Sequence, residues 1–245
     1  GNVSRYARVI GGGKVSPAVM FHHNGNNTPG LVTRYDLVVL DEVQSIQGDS
    51  AGELVAGLKV YLESGRFSRG NTEASAESGF VMLGNITLDE NHKPVYEEEG
   101  IFKEIPNFLQ ETAFIDRLHG IIPGWLMPRI SKHTPSENLG FKGDFFSEVL
   151  HKLRSEPQFT DYVNLNMKLN NCNDLRDKKA IVRLATAYMK ILFPDMNLTD
   201  EEFVKYCVRP AVMLRQRVRD ELYKMDREYA KVTIEVVEGK TDNLR

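Results

Sequence analysis

The sequence predicts an α/β protein in which a parallel β-sheet is followed by a mainly helical region. Two unbroken apolar runs, Tyr35–Leu40 and Phe80–Leu83, are typical of strands that are buried on both faces, as in a sheet covered by helices. Helical spacing of apolar residues between these runs gives a strand–helix–strand order, which favours a parallel sheet. The second half changes character and carries helical patterns almost throughout.

Further elements of the sheet region are predicted from shorter patterns. Tyr6–Ile10 is a candidate strand that ends in a turn at Gly11–Gly13, and His119–Ile122 is a weaker candidate stopped by Pro123. The helix between the two main strands should end at Gly65, because glycine accepts the left-handed conformation that closes a helix. Its apolar positions are Leu54, Leu58, Tyr61 and Leu62.

The helical half is predicted from two apolar stripes. The first comprises Ile181, Leu184, Tyr188 and Ile191, and Pro194 closes it. Thr199 and Glu202 have the spacing of a capping box, which starts the second helix. That helix should kink or break at Pro210, and its apolar positions are Phe203, Cys207, Leu214, Val218 and Leu222. The residues from Lys231 to Val237 alternate like a strand.

Composition excludes several classes of protein. A net charge of −3 means that any contact with nucleic acid must come from a local basic patch. Cys172 and Cys207 fit no metal or redox spacing, which is consistent with a reducing cytoplasm, and no apolar run is long enough to cross a membrane. We predict one domain over residues 1–135, a helical domain over 136–226 and a strand-like tail over 227–245, with the boundary in the stretch 132–138.

Asp41 and Glu42 follow the first apolar run and have the form of a Walker B element. In such an element the aspartate holds Mg²⁺ and the glutamate polarises the water that attacks a nucleotide phosphate. Ligands of open α/β sheets bind beyond the carboxyl ends of the strands, which is where these carboxylates should lie. Acidic residues at this position also commonly cap the next helix, so the motif alone leaves both interpretations open.

Asn85 and Arg117 are candidates for aligning the water and for stabilising charge in the transition state. Asn85 ends the second apolar run, although an asparagine taken by itself at this position is more commonly a turn residue. Arg117 precedes the weaker strand candidate, where it could face the nucleotide of a neighbouring subunit or form a surface ion pair with Asp116. The order of carboxylates, polar strand end, arginine and helices favours the catalytic interpretation.

Three more arginines are candidates for phosphate contacts. Arg176 opens the long helix of the second half, where it could reach a γ-phosphate or simply be solvated in a charged turn. Arg66 and Arg69 should lie near the tip of a hairpin, where they could contact DNA phosphates or only confer solubility.

The phosphate-binding loop itself does not occur in the sequence. Gly11-Gly12-Gly13-Lys14 lacks the leading glycine that such a loop requires. If the nucleotide interpretation holds, we expect this loop upstream of residue 1 and expect the chain alone to be inactive. No histidine spacing indicates a zinc hydrolase, no Gly-x-Ser-x-Gly elbow occurs, and no serine–lysine dyad of a Lon-type peptidase can be identified.

Several segments resemble the Lon-like AAA+ ATPases of BREX phage-exclusion systems, over nearly the whole chain. The most specific is Thr112–His119 followed by Ile122–Trp125, and the others are Asp36–Glu42, Gly84–Ile86 and Ser64–Gly70. The second half also resembles the lid of minichromosome-maintenance helicases in the segments Leu175–Arg176, Ile181–Leu184 and Leu198–Phe203.

The resemblance implies the C-terminal part of an AAA+ core over residues 1–135, followed by a helical lid. It implies Asp41 and Glu42 as Walker B, Asn85 as sensor 1, Arg117 as arginine finger and Arg176 as sensor 2. It makes Arg66–Gly70 the counterpart of a DNA-contacting hairpin. Such proteins form hexameric rings, use ATP and Mg²⁺, and act with other phage-defence proteins. A motor that feeds polypeptide to a Lon-type protease and a non-catalytic scaffold are the alternatives.

Overall fold

The computed structural model describes residues 5–11, 15–46, 51–136 and 138–237. The chain divides into two compact units, the first comprising Gly1–Arg117 and Pro123–His151, the second Leu118–Ile122 and Lys152–Arg245. This grouping by packing does not test the predicted domain boundaries at residues 135 and 226, which stay predictions. Among the described residues, no helix is both long and apolar enough to cross a membrane.

The first unit is built on a parallel sheet, as predicted. Its strands, in the order β1–β4–β7, are β1 (Ala7–Gly11), β4 (Leu37–Asp41) and β7 (Gly79–Met82). Both pairings are parallel, and β4 lies in the middle. Val38 and Leu40, which share one face of β4, are completely or almost completely buried, whereas Leu37 and Val39 on the other face are only partly buried, so the predicted burial on both faces is wrong.

Short elements connect β1 to β4, and a long helix connects β4 to β7. The short ones are α1 (Pro17–Met20), β2 (His22–His23), β3 (Thr28–Pro29) and α2 (Leu31–Arg34). Helix α3 (Ala51–Ser64) buries Leu54, Leu58 and Tyr61 and ends at Gly65, whose φ of 70° confirms the predicted left-handed cap. It is followed by a hairpin of β5 (Arg66–Arg69) and β6 (Thr72–Ser75).

The rest of the first unit is irregular. It contains α4 (Thr112–Ile115) and all but the last two residues of α5 (Gly143–Leu153), with 3₁₀ turns at Val43–Ser45, Ile101–Glu104, Asn107–Leu109 and Gly124–Leu126. The predicted strand at His119–Ile122 is wrong. This segment forms no strand and joins no sheet of the described residues, and the Ile121 N–H donates to Leu214 O of a helix at 3.2 Å.

The second unit is helical, as predicted. It contains α6 (Gln158–Asn166), α7 (Leu175–Leu192), α8 (Asp200–Glu202) and α9 (Arg209–Met225). The capping box of Thr199 and Glu202 is present with both of its reciprocal bonds. The predicted break at Pro210 is instead a π-helical segment, Phe203–Val208, that runs directly into α9.

The core of the second unit lies between α6, α7 and the π-helical segment. The stripe on α7 is displaced from the predicted one: Ile181, Ala185 and Met189 are buried, whereas Ile191 is exposed. The strand-like tail contributes β9 (Glu235–Val236), which pairs antiparallel with β8 (Leu169–Asn170). The predicted turn at Gly11–Gly13 lies largely outside the described residues, and Gly11 is the last residue of β1.

Candidate active site

The predicted Walker B carboxylates lie at the carboxyl end of the central strand. Asp41 is the last residue of β4 and is in register with Gly11 of β1, while the preceding Leu40 is in register with Met82 of β7. Both Asp41 and Glu42 are exposed. Parallel strands bring their carboxyl ends to one edge of the sheet, so these carboxylates lie where ligands of such sheets bind.

Glu42 has an unusual backbone conformation. Its φ of 52° and ψ of 56° place it in the left-handed region, which costs a residue other than glycine about 1–3 kcal/mol. Hydrogen bonds on both sides hold it there: its N–H donates to Asp41 Oδ1 at 2.9 Å, and its carbonyl accepts from the Ser45 hydroxyl at 2.8 Å. A strained residue is maintained only when its surroundings fix it, which fits a side chain that must be aimed.

The loop after β7 is joined to the Walker B segment. The Leu83 N–H donates to Leu40 O at 2.8 Å, and the Val43 N–H donates to Leu83 O at 3.0 Å. The Gln44 Nε2 group donates to the backbone carbonyl of Asn85 at 2.6 Å. The structure therefore brings the backbone of the sensor-1 candidate, Asn85, next to the segment that carries the carboxylates, and the Asn85 side chain is exposed there.

Close packing at Gly84 keeps these two loops together. A Cβ atom added at Gly84 would lie 3.2 Å from Val43 Cγ2 and 3.3 Å from Gln44 Nε2. Such contacts are tighter than ordinary van der Waals distances, so a larger residue would push Gln44 away from Asn85. Sequence reasoning missed Gln44, because no motif distinguishes it from any other polar residue after a strand.

The donor set at this edge suits a magnesium ion that is held mainly by a nucleotide. Mg²⁺ is usually bound by one or two carboxylates together with phosphate oxygens and water. Asp41 offers such a carboxylate, and only one of its oxygens accepts the Glu42 N–H. Among the residues that the structure describes, no three histidine, cysteine or acidic side chains cluster closely enough to hold a metal without a further ligand.

Arg117 is folded back onto its own unit. Its Nε lies 3.2 Å from Glu63 Oε2 near the end of α3, and its Nη1 donates to the carbonyl of Ala113. The Arg117 side chain is only 18% exposed. The sequence offered Asp116 as the ion-pair partner, whereas the structure pairs the guanidinium with Glu63, and Asp116 is buried. An arginine that serves a neighbouring subunit would have to leave Glu63, and this role stays a prediction.

The hairpin forms as expected, but its two arginines differ. Gly70, with φ of 60°, and Asn71 form the two-residue turn, so Arg69 lies at the tip and Arg66 lies at the base. Arg69 is engaged with its own unit: its Nη1 donates to His22 O at 2.7 Å and its Nε lies 3.5 Å from Glu53. Arg66 is exposed. Of the two residues predicted to contact DNA, only Arg66 is exposed, and Arg69 is partly buried.

Arg176 belongs to the second unit. It is the second residue of α7, and its backbone N–H donates to the N-cap carboxylate of Asp174 at 2.7 Å. The predicted position at a helix start is therefore confirmed, while its role as sensor 2 stays a prediction.

A buried ion pair in the second unit was not predicted from the sequence. The Arg215 guanidinium is completely buried, and its Nε donates to Asp177 Oδ1 at 2.7 Å. Its Nη1 also donates to the carbonyl of Leu118 at 2.6 Å. Burial raises the pKa of Asp177, and the adjacent Arg215 opposes this effect. The position of Arg215 beside the apolar Leu214 could not show that it is buried, because its partners lie far away in the sequence.

His119 is held neutral in the same unit. Burial is the largest cause that lowers its pKa, to about 4, and the positive charge of Arg183 acts in the same direction. The Arg183 Nη1 group donates to His119 Nε2 at 3.0 Å, so that nitrogen must be the unprotonated one. His119 therefore acts as a hydrogen-bond acceptor that fixes the segment Leu118–Ile122.

Comparisons with known proteins identify the family to which the chain is similar. A family model described as "Lon-like protease BrxL-like, ATPase domain" matches residues 1–235. A protein named Lon-like protease BrxL from Escherichia coli O9:H4 (strain HS) is 28% identical over 235 residues, which cover 95% of this chain and 33% of that protein. A protein of the same name from Bacillus cereus (strain H3081.97) is 28% identical over 244 residues, covering 98% and 35%. The chain thus spans about a third of the length of these curated relatives.

Proposed function

The chain belongs to the family of BrxL-like ATPase domains, and from this we propose that it carries the water-activating half of an ATP-driven ring motor that acts on DNA. Asp41 would hold Mg²⁺, which would neutralise negative charge on the phosphates, and Glu42 would polarise the attacking water. The observation that carries the proposal is the Gln44–Asn85 hydrogen bond of 2.6 Å, since it keeps the sensor candidate beside the two carboxylates.

ATP supplies the phosphoryl group that is attacked, and the residues of this chain orient and activate the attacking water. Glu42, aimed by its fixed backbone, accepts a proton from the attacking water. Asn85 aligns that water with its side-chain amide. The loop that binds the phosphates has no counterpart in this sequence, and we propose that another part of the complete protein supplies it.

Arg117 completes the active site of the next subunit in the ring. This requires head-to-tail contacts that close on themselves, and we propose a hexamer. The Glu63 ion pair then serves as the resting position of the guanidinium, from which it is released when a neighbour binds ATP. Arg176 contacts the γ-phosphate as sensor 2.

DNA is the proposed substrate because Arg66 presents an exposed cation on the hairpin, and phosphate contacts require cations. We propose that the motor works in the cytoplasm with other phage-defence proteins. The name of the relatives, Lon-like protease, supports a second candidate in which the motor delivers polypeptide to a protease. Stimulation of ATP turnover by unfolded protein, and not by duplex DNA, would favour that candidate.

The test is ATP turnover by the complete protein, with and without duplex DNA. Loss of a general base lowers the rate by a factor of about 10²–10⁴, so ATP turnover by the Glu42→Gln variant should fall by that factor. Loss of an arginine finger costs about 10³–10⁵, which is the expectation for Arg117→Ala. The matched controls are Glu90→Gln and Arg129→Ala, which alter exposed residues outside the site and should retain turnover. Full turnover in Glu42→Gln would refute the Walker B assignment.

DNA binding is tested by measuring the affinity of the Arg66→Ala variant for duplex DNA at several salt concentrations, with Arg129→Ala again as the control. The logarithm of the affinity for duplex DNA falls linearly with the logarithm of the salt concentration. For each phosphate that the protein no longer neutralises, this fall should become less steep by about 0.9. An unchanged slope together with DNA-stimulated turnover would place the DNA-binding residues elsewhere. Turnover that is indifferent to DNA would refute the DNA motor.

A further inference from the structure

The five residues that follow Arg117 are attached to helix α9. In addition to the Arg215–Leu118 bond, the Ile121 N–H donates to Leu214 O at 3.2 Å, and Arg217 Nη1 donates to Ile121 O at 3.3 Å. The fit is close, because a Cβ atom at Gly120 would lie 2.7 Å from Leu214 Cβ. The segment Leu118–Ile122 is therefore held in one place by both backbone and side-chain bonds.

Burying the charged side chain of Arg215, which anchors this segment, costs free energy. Arg215 is 0% exposed and Asp177 is 3% exposed, so both charges have been removed from water. Asp177 also lies 3.6 Å from the guanidinium of Arg219. A buried ion pair is often no more stabilising than apolar residues of the same volume, so stability alone does not explain it. What an apolar pair could not do is donate to the Leu118 carbonyl.

The two residues that Arg215 binds directly follow, in the sequence, the two arginines of the proposed mechanism. Asp177 directly follows Arg176 at the start of α7. The carbonyl that Arg215 holds belongs to Leu118, which directly follows Arg117. A displacement of the first turn of α7 would therefore reach the peptide next to Arg117 through two short hydrogen bonds, of 2.7 Å and 2.6 Å.

We propose that Arg215 is a positioning residue for Arg117. Through Asp177 and the Leu118 carbonyl, it fixes the direction in which the chain leaves Arg117 and so presents that guanidinium to the neighbouring subunit. The inference rests on the proposed ring motor with a shared active site. Arg215 acts on the finger that its own subunit offers, and not on the water-activating carboxylates of that subunit.

Subunit mixing in the complete protein tests this division. Glu42→Gln subunits cannot turn over ATP but still offer Arg117, and Arg117→Ala subunits do the reverse. When the two are co-expressed, about a quarter of the sites should combine an intact carboxylate with an intact finger, and turnover should recover accordingly. Arg215→Met should behave like Arg117→Ala: inactive alone, recovered by Glu42→Gln to about the same quarter, and not recovered by Arg117→Ala.

Controls separate positioning from loss of structure. Thr199→Ala removes the helix cap in the same unit without touching Leu118, and it should retain turnover although it also lowers stability. If Arg215→Met does not fold, Arg215→Lys replaces it, because lysine keeps the charge beside Asp177 but lacks the planar fork that also reaches Leu118 O. A subunit whose defect is general misfolding would not be recovered by any partner.

The outcomes distinguish the inference from its premise. If Glu42→Gln subunits restore ATP turnover to Arg117→Ala subunits but not to the Arg215 variant, the positioning role is wrong and the proposed ring motor is retained. Normal turnover in the Arg215 variant alone would also overturn it. Failure of Glu42→Gln to recover Arg117→Ala would overturn the shared active site, and the positioning role with it.

Discussion

Replacing Gln44 by methionine should reduce ATP turnover without weakening the fold. The substitution keeps the length of the side chain and removes the 2.6 Å bond to the Asn85 carbonyl. A neutral hydrogen bond contributes about 0.5–1.5 kcal/mol, so the competent arrangement of the two loops should become about 2- to 13-fold rarer. Turnover should fall by that factor, while the KM for ATP stays unchanged because Asn85 acts on the water.

The effect on stability should be small because two contributions oppose each other. The Gln44 Oε1 atom is buried and has no hydrogen-bond partner among the described residues. Removing a buried unsatisfied acceptor gains about 1–3 kcal/mol, which offsets the absence of the bond to Asn85. Urea unfolding of the chain should therefore show a free energy of unfolding equal to or slightly above that of the wild type.

Gln110→Met is the matched control. Gln110 Nε2 also donates to a backbone carbonyl, that of Ile105 at 2.7 Å, and to Asn107 Oδ1 at 3.2 Å. It touches neither the carboxylates nor Asn85, so its removal should cost about 1–2 kcal/mol of stability and leave turnover intact. The two variants should thus show opposite patterns. Equal turnover in Gln44→Met and the wild type would refute the idea that this bond holds the site together.

Three further predictions concern stability and activity. Gly30→Ala should lower the free energy of unfolding by about 1–3 kcal/mol or more, because the new Cβ atom would lie 2.4 Å from the Phe21 carbonyl group. In Gly52→Ala, within α3, the new Cβ atom meets nothing within 4 Å, so this substitution should raise the free energy of unfolding by about 0.5–1 kcal/mol; urea unfolding measures both changes. The folded state lowers the pKa of His119 to about 4, so stability should be complete above pH 6.5 and fall by up to about 3 kcal/mol as the pH drops to 4; His119→Gln should remove this part of the pH dependence, and an unchanged profile would contradict it. The 245-residue chain alone should show no ATP turnover in a phosphate-release assay, since its sequence lacks the phosphate-binding loop.

The strands of the sheet could be predicted because each contains an apolar run of strand length, although β7 has no fully buried residue. Leu37–Asp41 and Gly79–Met82 lie within a few residues of the predicted runs, and α3 ends at the expected glycine. His119–Ile122, the weaker candidate that is stopped by Pro123, instead packs along α9. A short apolar run does not show whether its neighbour will be a strand or a helix.

The residue types of the candidate site could be predicted, but not their connections. Asp41, Glu42 and Asn85 were predicted because phosphoryl transfer uses such side chains at strand ends; the structure confirms that Asp41 ends a strand, and the catalytic roles stay predictions. The bond that joins Gln44 to Asn85 spans 41 residues, and no local pattern encodes such a pair. The partner of Arg117 is Glu63 for the same reason: ion pairs depend on which surfaces fold together, not on which charges are adjacent in sequence.

The membership of Leu118–Ile122 in the second unit constrains how that unit can be completed during synthesis. Ribosomes release these five residues before the stretch 123–151 of the first unit, and their helical partners follow much later. The bond between Arg215 and Leu118 closes a separation of 97 residues. Closing such a loop costs entropy that grows only slowly with length, but the contact cannot form until α9 has emerged. The segment Leu118–Ile122 should therefore acquire its final position only after all three strands of the sheet have been synthesised.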